Sequence, residues 1–206
     1  MKLKHLESAL QDVDDFEEPR IELEQYQTSP HLAARMIYTM ASYGDLNDRR
    51  VLDLGCGCGM LSIACAMMGG EYVVGVDIDP SALKIASVNI SEMELDQTID
   101  LIHSDVADLS LKKFDTVVTN PPFGTRAKGA DMVFLKAAID HATTAVYSLH
   151  KTSTRQHIEK KSIEWGVKMT VVAEMRFDLP QTYSFHKSAS KDIAVDFLRF
   201  TIPKKS

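Results

Sequence analysis

The four residues Asn120, Pro121, Pro122 and Phe123 carry groups that suit the chemistry of a planar NH2 group. Such a nitrogen is a poor nucleophile, because its lone pair is delocalised into the attached ring or carbonyl. The Asn120 side-chain oxygen and the Pro121 carbonyl can each accept one N–H bond, which draws the nitrogen toward a pyramidal geometry. The two prolines fix φ at about −65° and hold that carbonyl in place. The tetrapeptide therefore predicts catalysis at a conjugated amine, with no strong base.

Phe123 and its context allow two interpretations. Its ring offers a flat apolar face for a flipped-out or single-stranded base, and such stacking contributes roughly 1–3 kcal/mol. The alternative is an ordinary turn with Phe123 in the core, because Asn-Pro-Pro is a common turn sequence. The apolar run Phe114 to Thr119 would deliver Asn120 to the end of a strand. We favour catalysis because a cofactor pattern lies upstream.

That cofactor pattern is a strand, a glycine-rich turn and a helix. The run Val51 to Leu54 leads into Gly55, Gly57 and Gly59, where a ligand can approach a backbone without Cβ atoms. A dinucleotide fingerprint requires glycine at the sixth position of this turn, but Met60 stands there. The alternate glycines after an acidic apolar strand instead resemble the first motif of the class I S-adenosylmethionine methyltransferases, whose cofactor has no phosphate.

Polar residues also follow the next two predicted strands. In an open parallel sheet, ligands bind at the carboxyl ends of the strands. Asp77 is expected to accept from the ribose hydroxyls, and Ile78 to lie against the adenine ring of the cofactor. After the third strand, Asp105 can accept from the adenine amine, and the Val106 N–H can donate to the ring. Each acid alone would suit a cap or a solvated turn, but three acids on successive strands, Asp53 included, favour a cofactor site.

The elements that must position these residues predict an α/β fold. Short β-branched runs alternate with amphipathic stretches, a pattern typical of a parallel sheet covered by helices on both faces. The seven predicted strands are Arg50 to Leu54, Tyr72 to Asp77, Asp100 to His103, Phe114 to Thr119, Ala145 to Leu149, Thr170 to Arg176 and Ile193 to Phe200. The predicted helices between them are Leu61 to Met68, Pro80 to Met93, Asp131 to Ala142 and Thr154 to Trp165, the last capped by Ser153 or Thr154 and ended by Gly166.

The first 49 residues are expected to form a helical cap on a methyltransferase core of residues 50–206, within one structural domain. Leu3, Leu6 and Leu10 lie at helical spacing and predict a helix from Leu3 to Val13. A second helix is expected from Pro30 to Tyr43, starting at Thr28-Ser29-Pro30.

Composition limits the class of protein. The 206 residues are 45% hydrophobic and 25% charged, as in a globular domain, and no apolar stretch approaches the roughly 20 residues of a membrane span. The first residues lack an apolar signal core, so an intracellular location is expected. Cys56, Cys58 and Cys65 supply neither a zinc ligand set nor a full set of disulfides, so no metal is expected.

A net charge of −6 is unusual for a nucleic-acid enzyme, because phosphate binding depends on Lys and Arg. Either the substrate is not a nucleic acid, or local basic patches and a partner protein supply the attraction. Arg126 and Lys128 follow the tetrapeptide, and with the loop Ser184 to Lys187 they are the expected RNA contacts. Further basic residues lie toward the end of the chain: Lys187, Lys191, Arg199, Lys204 and Lys205.

The tetrapeptide, placed after this cofactor pattern, resembles the fourth motif of the amino-methyltransferases. Those enzymes act on adenine N6, cytosine N4, guanine N2 or a glutamine amide. Phe at the last position, as in Phe123, is commoner among the enzymes that stack a nucleobase.

A closer resemblance covers nearly the whole chain. It is to the eukaryotic methyltransferase-like protein 5 family, and its motifs here are Glu24-Gln25-Tyr26, Thr28, Pro30-His31, Asp53 to Gly59, Asn120 to Thr125, Ala145 to Lys151 and Arg176 to Pro180. Two positions depart from the family pattern: Gln27 stands where Pro is more usual, and position 60 is variably apolar. The resemblance implies that the tetrapeptide holds the adenine and that S-adenosylmethionine is bound by Gln25, Thr28, Gly55, Cys58, Met60, Asp77, Asp105 and Val106.

The resemblance also implies a substrate and a partner. Family members methylate adenine N6 at one position of the small-subunit (18S) ribosomal RNA, in the nucleus, nucleolus and cytoplasm. They work as heterodimers with a small zinc-binding methyltransferase activator protein. An apolar surface or strand edge is then covered by the activator, and Met68, Val73 and Val74 are the candidates.

Other functions stay open at this point. The enzyme alternatives are methylation of a protein glutamine amide or of guanine N2. A catalytically silent methyltransferase fold that serves ribosome assembly is a second class, which the presence of Asn120 and Asp77 argues against. An oxidoreductase is disfavoured by Met60.

Overall fold

The computed structural model describes residues 1–124, 126–179 and 191–203, with the backbone alone for residues 177–179 and 191–192. The strands are β1 (Arg50–Leu54), β2 (Tyr72–Asp77), β3 (Ile99–His103), β4 (Phe114–Thr119), β5 (Ala142–Lys151), β6 (Lys168–Leu179) and β7 (Lys191–Thr201). The helices are α1 (Leu3–Ala9), α2 (Pro30–Ser42), α3 (Met60–Met67), α4 (Pro80–Glu92), α5 (Ala130–His141) and α6 (Arg155–Glu164).

One sheet joins the seven strands in the order β3-β2-β1-β4-β5-β7-β6. The five neighbouring strands β3, β2, β1, β4 and β5 are parallel to one another, whereas β7 runs antiparallel to both β5 and β6. The predicted class I fold with seven strands is confirmed, and the sheet is mixed because its last strand is antiparallel to both neighbours. Parallel neighbours need a long crossover connection, and β6 and β7 instead pair with each other in antiparallel fashion.

Capping residues fix where the helices begin. The Ser29 hydroxyl accepts from the Leu32 N–H before α2, and the Asp79 carboxylate accepts from the Ser81 N–H before α4. Each cap is followed by proline at the first helical position, as the sequence indicates. The predicted side-chain cap of α6 was wrong, because the Thr154 hydroxyl donates to a carbonyl in the preceding turn.

The N-terminal helices pack directly on the sheet domain. Leu6 and Leu10 are fully buried in one cluster with side chains of α2, α3 and β1, which confirms the apolar stripe. The first helix is shorter than expected, since α1 ends at Ala9 and a 3-10 turn continues from Leu10–Asp12. Residues 1–13 therefore share the hydrophobic core with the strands.

Alternate residues of the central strands point to opposite faces of the sheet. Val51 and Val73 pack beneath α1, α2 and α3, while Leu52 and Val74 pack against α5. Val73 and Val74 are 0% and 4% exposed, on a strand paired on both sides. The proposal that they form an open partner surface was therefore wrong.

Among the residues described, no helix is both long and apolar enough to cross a membrane.

Candidate active site

A cavity of about 330 Å³ opens at the carboxyl ends of β1, β2 and β4, beside the chain segment of residues 22–28. This volume falls in the usual range of small-molecule sites. The structure brings to this cavity all the residues predicted to bind the cofactor, which are Gln25, Thr28, Gly55, Cys58, Met60, Asp77, Ile78, Asp105 and Val106. Asn120 and Pro122 of the tetrapeptide also line it, whereas Pro121 and Phe123 do not.

The glycine-rich turn forms one wall of the cavity. Gly55, Gly57 and Gly59 all have positive φ, a conformation that favours glycine. A Cβ atom on Gly55 would lie 2.8 Å from the ring of Phe134, and one on Gly57 would lie 2.8 Å from the ring of Phe16. Both aromatic side chains line the cavity, and sequence reasoning missed them because their contacts depend on the tertiary fold.

Asp77 is bonded to the backbone on both of its carboxylate oxygens. One oxygen accepts from the Gly57 N–H at 2.8 Å, and the other accepts from the Asp79 N–H at 2.9 Å. Burial raises the pKa of Asp77, although these backbone bonds oppose the shift. Each oxygen keeps lone pairs for further donors, so Asp77 both shapes the turn and can bind hydroxyl groups.

Asp53 is a second acid at the cavity, and its role was not assigned from the sequence. It is fully buried, and one carboxylate oxygen accepts from the Ser62 hydroxyl at 2.7 Å. The other oxygen has no hydrogen-bond partner in the described part of the chain. The pKa of Asp53 is raised to about 7, mainly by burial and further by the nearby charge of Asp77. An unpartnered buried carboxylate suits a cationic ligand group such as an ammonium.

Asn120 presents an unpartnered acceptor at the same cavity. Its amide nitrogen donates to the Thr28 hydroxyl at 2.9 Å, while its amide oxygen is buried and has no partner in residues 1–124, 126–179 and 191–203. Among the described residues only three buried side-chain polar atoms lack a partner, and two of them belong to the cavity residues Asp53 and Asn120. Buried polar groups are normally satisfied, so both oxygens are acceptors to which a ligand can donate a hydrogen bond.

Pro121 supplies its carbonyl to the N-terminal segment. That carbonyl accepts from the Tyr26 hydroxyl at 3.3 Å, which leaves a second lone pair on the oxygen. The burial of Tyr26, and then the charge of Glu24, raise the pKa of the Tyr26 hydroxyl, so it stays a donor. The ring of Phe123 lies 5.6 Å from the ring of Tyr26 and is 6% exposed. Phe123 therefore occupies the core, the alternative left open by the sequence, and shows no open stacking face.

Gln25 lies at the cavity but is held by the protein itself. Its amide donates to Asp79 at 2.7 Å, and its oxygen accepts from the Arg20 N–H at 2.7 Å. The Arg20 guanidinium also lies 3.4 Å from Asp79. Burial alone would raise the pKa of Asp79, but the bonds from Gln25 and Ser81 and the charge of Arg20 bring it below its usual value. These contacts tie the N-terminal segment to the end of β2.

The predicted RNA contacts were Arg126, Lys128 and the loop Ser184 to Lys187, and the other basic residues were noted only for their charge. Arg126 and Lys128 are exposed near the cavity, and the Arg126 N–H donates to the Glu24 carboxylate at 2.7 Å. Arg199 is not available, since its guanidinium lies 2.8 Å from the buried Asp45. Several residues named in the sequence analysis lie outside the part of the chain that the structure describes. They are the motif ends Thr125 and Pro180, the predicted RNA loop Ser184 to Lys187, and the basic residues Lys204 and Lys205.

Asp53 gives a pH-dependent prediction. Its folded pKa, about 7, lies above the ordinary value of 3.8, so the folded state takes up a proton between these values and loses stability as pH rises toward 7. Asp53→Asn removes this titration. We expect the stability of the variant relative to wild type to rise by about 3 kcal/mol between pH 5 and pH 8, without cofactor. Thermal unfolding at several pH values measures it.

The control for that series is Ser62→Ala, which removes the hydroxyl donor but keeps the carboxylate. Because the Ser62 bond lowers the pKa of Asp53, this variant should lose stability most at high pH. A stability difference between Asp53→Asn and wild type that stays constant from pH 5 to pH 8 would show that Asp53 does not titrate in this range.

Known proteins resemble the chain in sequence and in structure. Residues 33–149 match the Methyltransferase small domain family. The chain is 57% identical to the rRNA N(6)-adenosine-methyltransferase METTL5 of Danio rerio, over 98% of this chain and 99% of that protein. It is 51% identical to the Mettl5 protein of the same description from Drosophila melanogaster, over 98% and 97%. The solved structure of PH1948 from Pyrococcus horikoshii superposes with a TM-score of 0.89 at 32% identity, covering 98% of both chains.

These similarities extend over the cap, the glycine-rich turn and the tetrapeptide alike, and the cavity unites the same three parts in space. With 57% identity across almost the full length of a relative, the chain belongs to the methyltransferase-like protein 5 family of class I methyltransferases.

Proposed function

We propose that this protein transfers the methyl group of S-adenosylmethionine to N6 of one adenine in small-subunit (18S) ribosomal RNA. The observation that carries the proposal is the buried amide oxygen of the cavity residue Asn120, for which the described part of the chain supplies no hydrogen-bond partner. Its relatives from Danio rerio and Drosophila melanogaster are named rRNA N(6)-adenosine-methyltransferases, which supports adenine in ribosomal RNA as the substrate.

The cavity fits the cofactor in chemistry as well as in size. A zwitterionic amino acid joined to adenosine needs a carboxylate for its ammonium, acceptors for its ribose hydroxyls and an apolar slot for its adenine. By this proposal Asp53 and Asp77 supply the carboxylates, while Ile78, Asp105 and Val106 hold the adenine. The backbone at Gly55 and the side chains of Gln25, Thr28, Cys58 and Met60 complete the site. When bound, the cofactor supplies an electrophilic sulfonium methyl.

The chain itself contributes the orientation of the amine. Asn120 and Pro121 are proposed to accept one N–H each from the adenine NH2 group, so that its lone pair is no longer shared with the ring. Positive charge then develops on the nitrogen as the new bond forms, and both neutral acceptors stabilise that charge. The extra proton leaves to water afterward, and no general base is required.

Pro122 and Phe123 have supporting roles in this proposal. Pro122 lines the cavity and restricts the loop, which limits the entropy lost on reaching the reactive geometry. Phe123 packs against Tyr26, so it can stack on the adenine only if its ring leaves this position. Arg126 and Lys128, both exposed, are proposed to attract the RNA backbone.

The direct test is transfer of a tritiated methyl group from the cofactor to small-subunit RNA, followed by digestion and identification of the labelled nucleoside. We expect N6-methyladenosine, and much slower labelling with the Asn120→Ala protein. Label in a guanine nucleoside or in protein glutamine would support the alternative amine substrates. Transfer that is absent with every substrate, while loss of the protein still blocks ribosome assembly, would support a catalytically silent assembly factor.

We also propose the heterodimer with a small zinc-binding methyltransferase activator protein. The strand β3 forms one edge of the sheet, and a partner strand can pair with its outer side. Leu101 and Ile102 on this strand are only partly buried. We expect the protein to elute as a 1:1 complex with the activator, and separate elution would contradict the proposal.

We also propose how the chain is divided into a cap and a core, and where the protein acts in the cell. Residues 1–49 are a cap on the core of residues 50–206, and the cap is part of the catalytic unit because it supplies Gln25, Tyr26 and Thr28. The protein is proposed to act in the nucleus, nucleolus and cytoplasm, where small-subunit RNA is assembled and used. Fluorescence imaging of the tagged protein would test this location.

A further inference from the structure

Thr28 contacts the catalytic amide, and nothing in its proposed cofactor role requires that contact. Its hydroxyl accepts from the Asn120 amide nitrogen at 2.9 Å, across 92 positions of sequence. We infer, on the basis of the proposed function, that Thr28 is a positioning residue that holds the Asn120 amide oxygen toward the substrate amine. The contact is buried, since Thr28 is 6% exposed.

The orientation of an asparagine amide matters because its two ends have opposite hydrogen-bonding character. The oxygen accepts, whereas the NH2 group only donates and would repel the N–H groups of an adenine amine. In the structure the NH2 end of Asn120 faces Thr28, and this leaves the oxygen as the unpartnered end. A rotation of the amide by 180° would place the two N–H groups in that buried position, where a donor without a hydrogen-bond partner destabilises the protein. The hydrogen bond to Thr28 therefore forms when the Asn120 oxygen is oriented to accept from the amine.

A hydroxyl can accept and donate at once. One lone pair of the Thr28 hydroxyl accepts from Asn120, and the side chain also lines the cavity. If the hydroxyl proton is donated to an acceptor group of the bound cofactor, only lone pairs remain to face Asn120. The amide is then fixed with its nitrogen toward Thr28. Cofactor binding thus favours the orientation in which Asn120 can accept from the adenine.

The backbone that carries Thr28 is held firmly in place. Ser29 caps α2, Pro30 is its first residue, and Met36 and Ile37 of this helix are buried in the core. Two residues before Thr28, the Tyr26 hydroxyl donates to the Pro121 carbonyl. One short segment therefore contacts both groups that are proposed to grip the amine, which is the arrangement expected of a positioning element.

The test compares Thr28→Val, which keeps the shape but removes the hydroxyl, with Thr28→Ser, which restores it. Single-turnover methylation is measured in the complex with the activator, with the cofactor saturating and the complex in excess over the RNA. We expect Thr28→Val to slow transfer by about 10- to 100-fold, the effect of losing one oriented hydrogen bond, and Thr28→Ser to remain within about threefold of wild type. Thr116→Val is the matched control, because it removes a buried threonine hydroxyl that donates to the Asp45 carbonyl away from the cavity, and it should lower the melting temperature alone.

A double-mutant cycle separates positioning from cofactor contact. If Thr28 acts through Asn120, then Thr28→Val will slow the residual reaction of Asn120→Ala by less than about twofold. Cofactor affinity, measured by calorimetry, decides the competing case. A Thr28→Val protein that binds the cofactor more weakly, but transfers at the wild-type rate once saturated, would overturn the inference. So would fully additive effects of the two substitutions.

A spectroscopic readout keeps the inference testable whatever the substrate proves to be. The NMR signals of the Asn120 side-chain NH2, assigned by their loss in Asn120→Ala, should shift in Thr28→Val and return in Thr28→Ser. Unchanged signals would overturn the inference even if adenine methylation is confirmed. A labelled product other than N6-methyladenosine would instead contradict the proposed function and leave this readout intact. Should Thr28→Val fail to fold, Thr28→Ala takes its place in each measurement.

Discussion

Asn120→Ala is expected to reduce the rate of methyl transfer by about 100- to 1,000-fold, the loss seen when one oriented polar group is removed from a reacting centre. The alanine removes the buried amide oxygen, which has no partner among the residues that the structure describes. Since that oxygen contributes only when the amine is present, folding should change little. Single-turnover kinetics at saturating cofactor measure the effect, and calorimetry should show cofactor affinity within about threefold of wild type.

Asn120→Asp is the informative companion to that variant. It keeps an acceptor oxygen in place of the amide oxygen, but it loses the NH2 group that donates a hydrogen bond to the Thr28 hydroxyl. We expect activity between those of wild type and Asn120→Ala. An Asn120→Ala protein with the wild-type transfer rate would contradict the catalytic assignment of the tetrapeptide.

Asp77→Ala is expected to weaken cofactor binding by about 100-fold, because two charge-assisted hydrogen bonds to a ribose diol contribute roughly 3 kcal/mol together. The carboxylate also accepts from the Gly57 and Asp79 N–H groups, so the turn itself loses support. Both effects act in the same direction on affinity. Calorimetric titration with S-adenosylmethionine is the measurement.

The matched control for Asp77 is Asp115→Ala. Asp115 also accepts a backbone N–H, that of Arg50 at 2.9 Å, but it lies on β4 at the opposite end of the sheet from the cavity. Its loss should lower the melting temperature with no change in cofactor affinity. Equal affinity losses for the two variants would mean that Asp77 supports the fold and does not bind the ribose.

The residues predicted for the cofactor site were recognisable because they lie at fixed positions relative to local elements. Glycines directly after β1, and acids at the ends of β2 and β3, must meet at one edge of a parallel sheet. The strand boundaries are equally local, and β1, β2 and β4 begin and end as predicted. Short-range patterns in the sequence therefore predicted residues that the fold brings to one cavity.

The parts that sequence reasoning missed depend on distant contacts. Phe123 is buried because Tyr26, almost a hundred residues earlier, packs against it. Val73 and Val74 are interior because β3 forms the edge of the sheet, which no pattern within β2 reveals. Arg199 is neutralised by Asp45 across 154 positions. A sequence shows which groups are present, but tertiary pairing decides which of them stay free for a ligand.

The most direct test of the account is a crystal structure of the complex bound to S-adenosylmethionine. Because the amine nitrogen must lie about 3 Å from both the Asn120 amide oxygen and the methyl carbon, these two atoms should be no more than about 6 Å apart. The amide oxygen should still lack a protein partner. A separation above about 8 Å, or an Asn120 oxygen bonded within the protein core, would contradict the proposed catalysis.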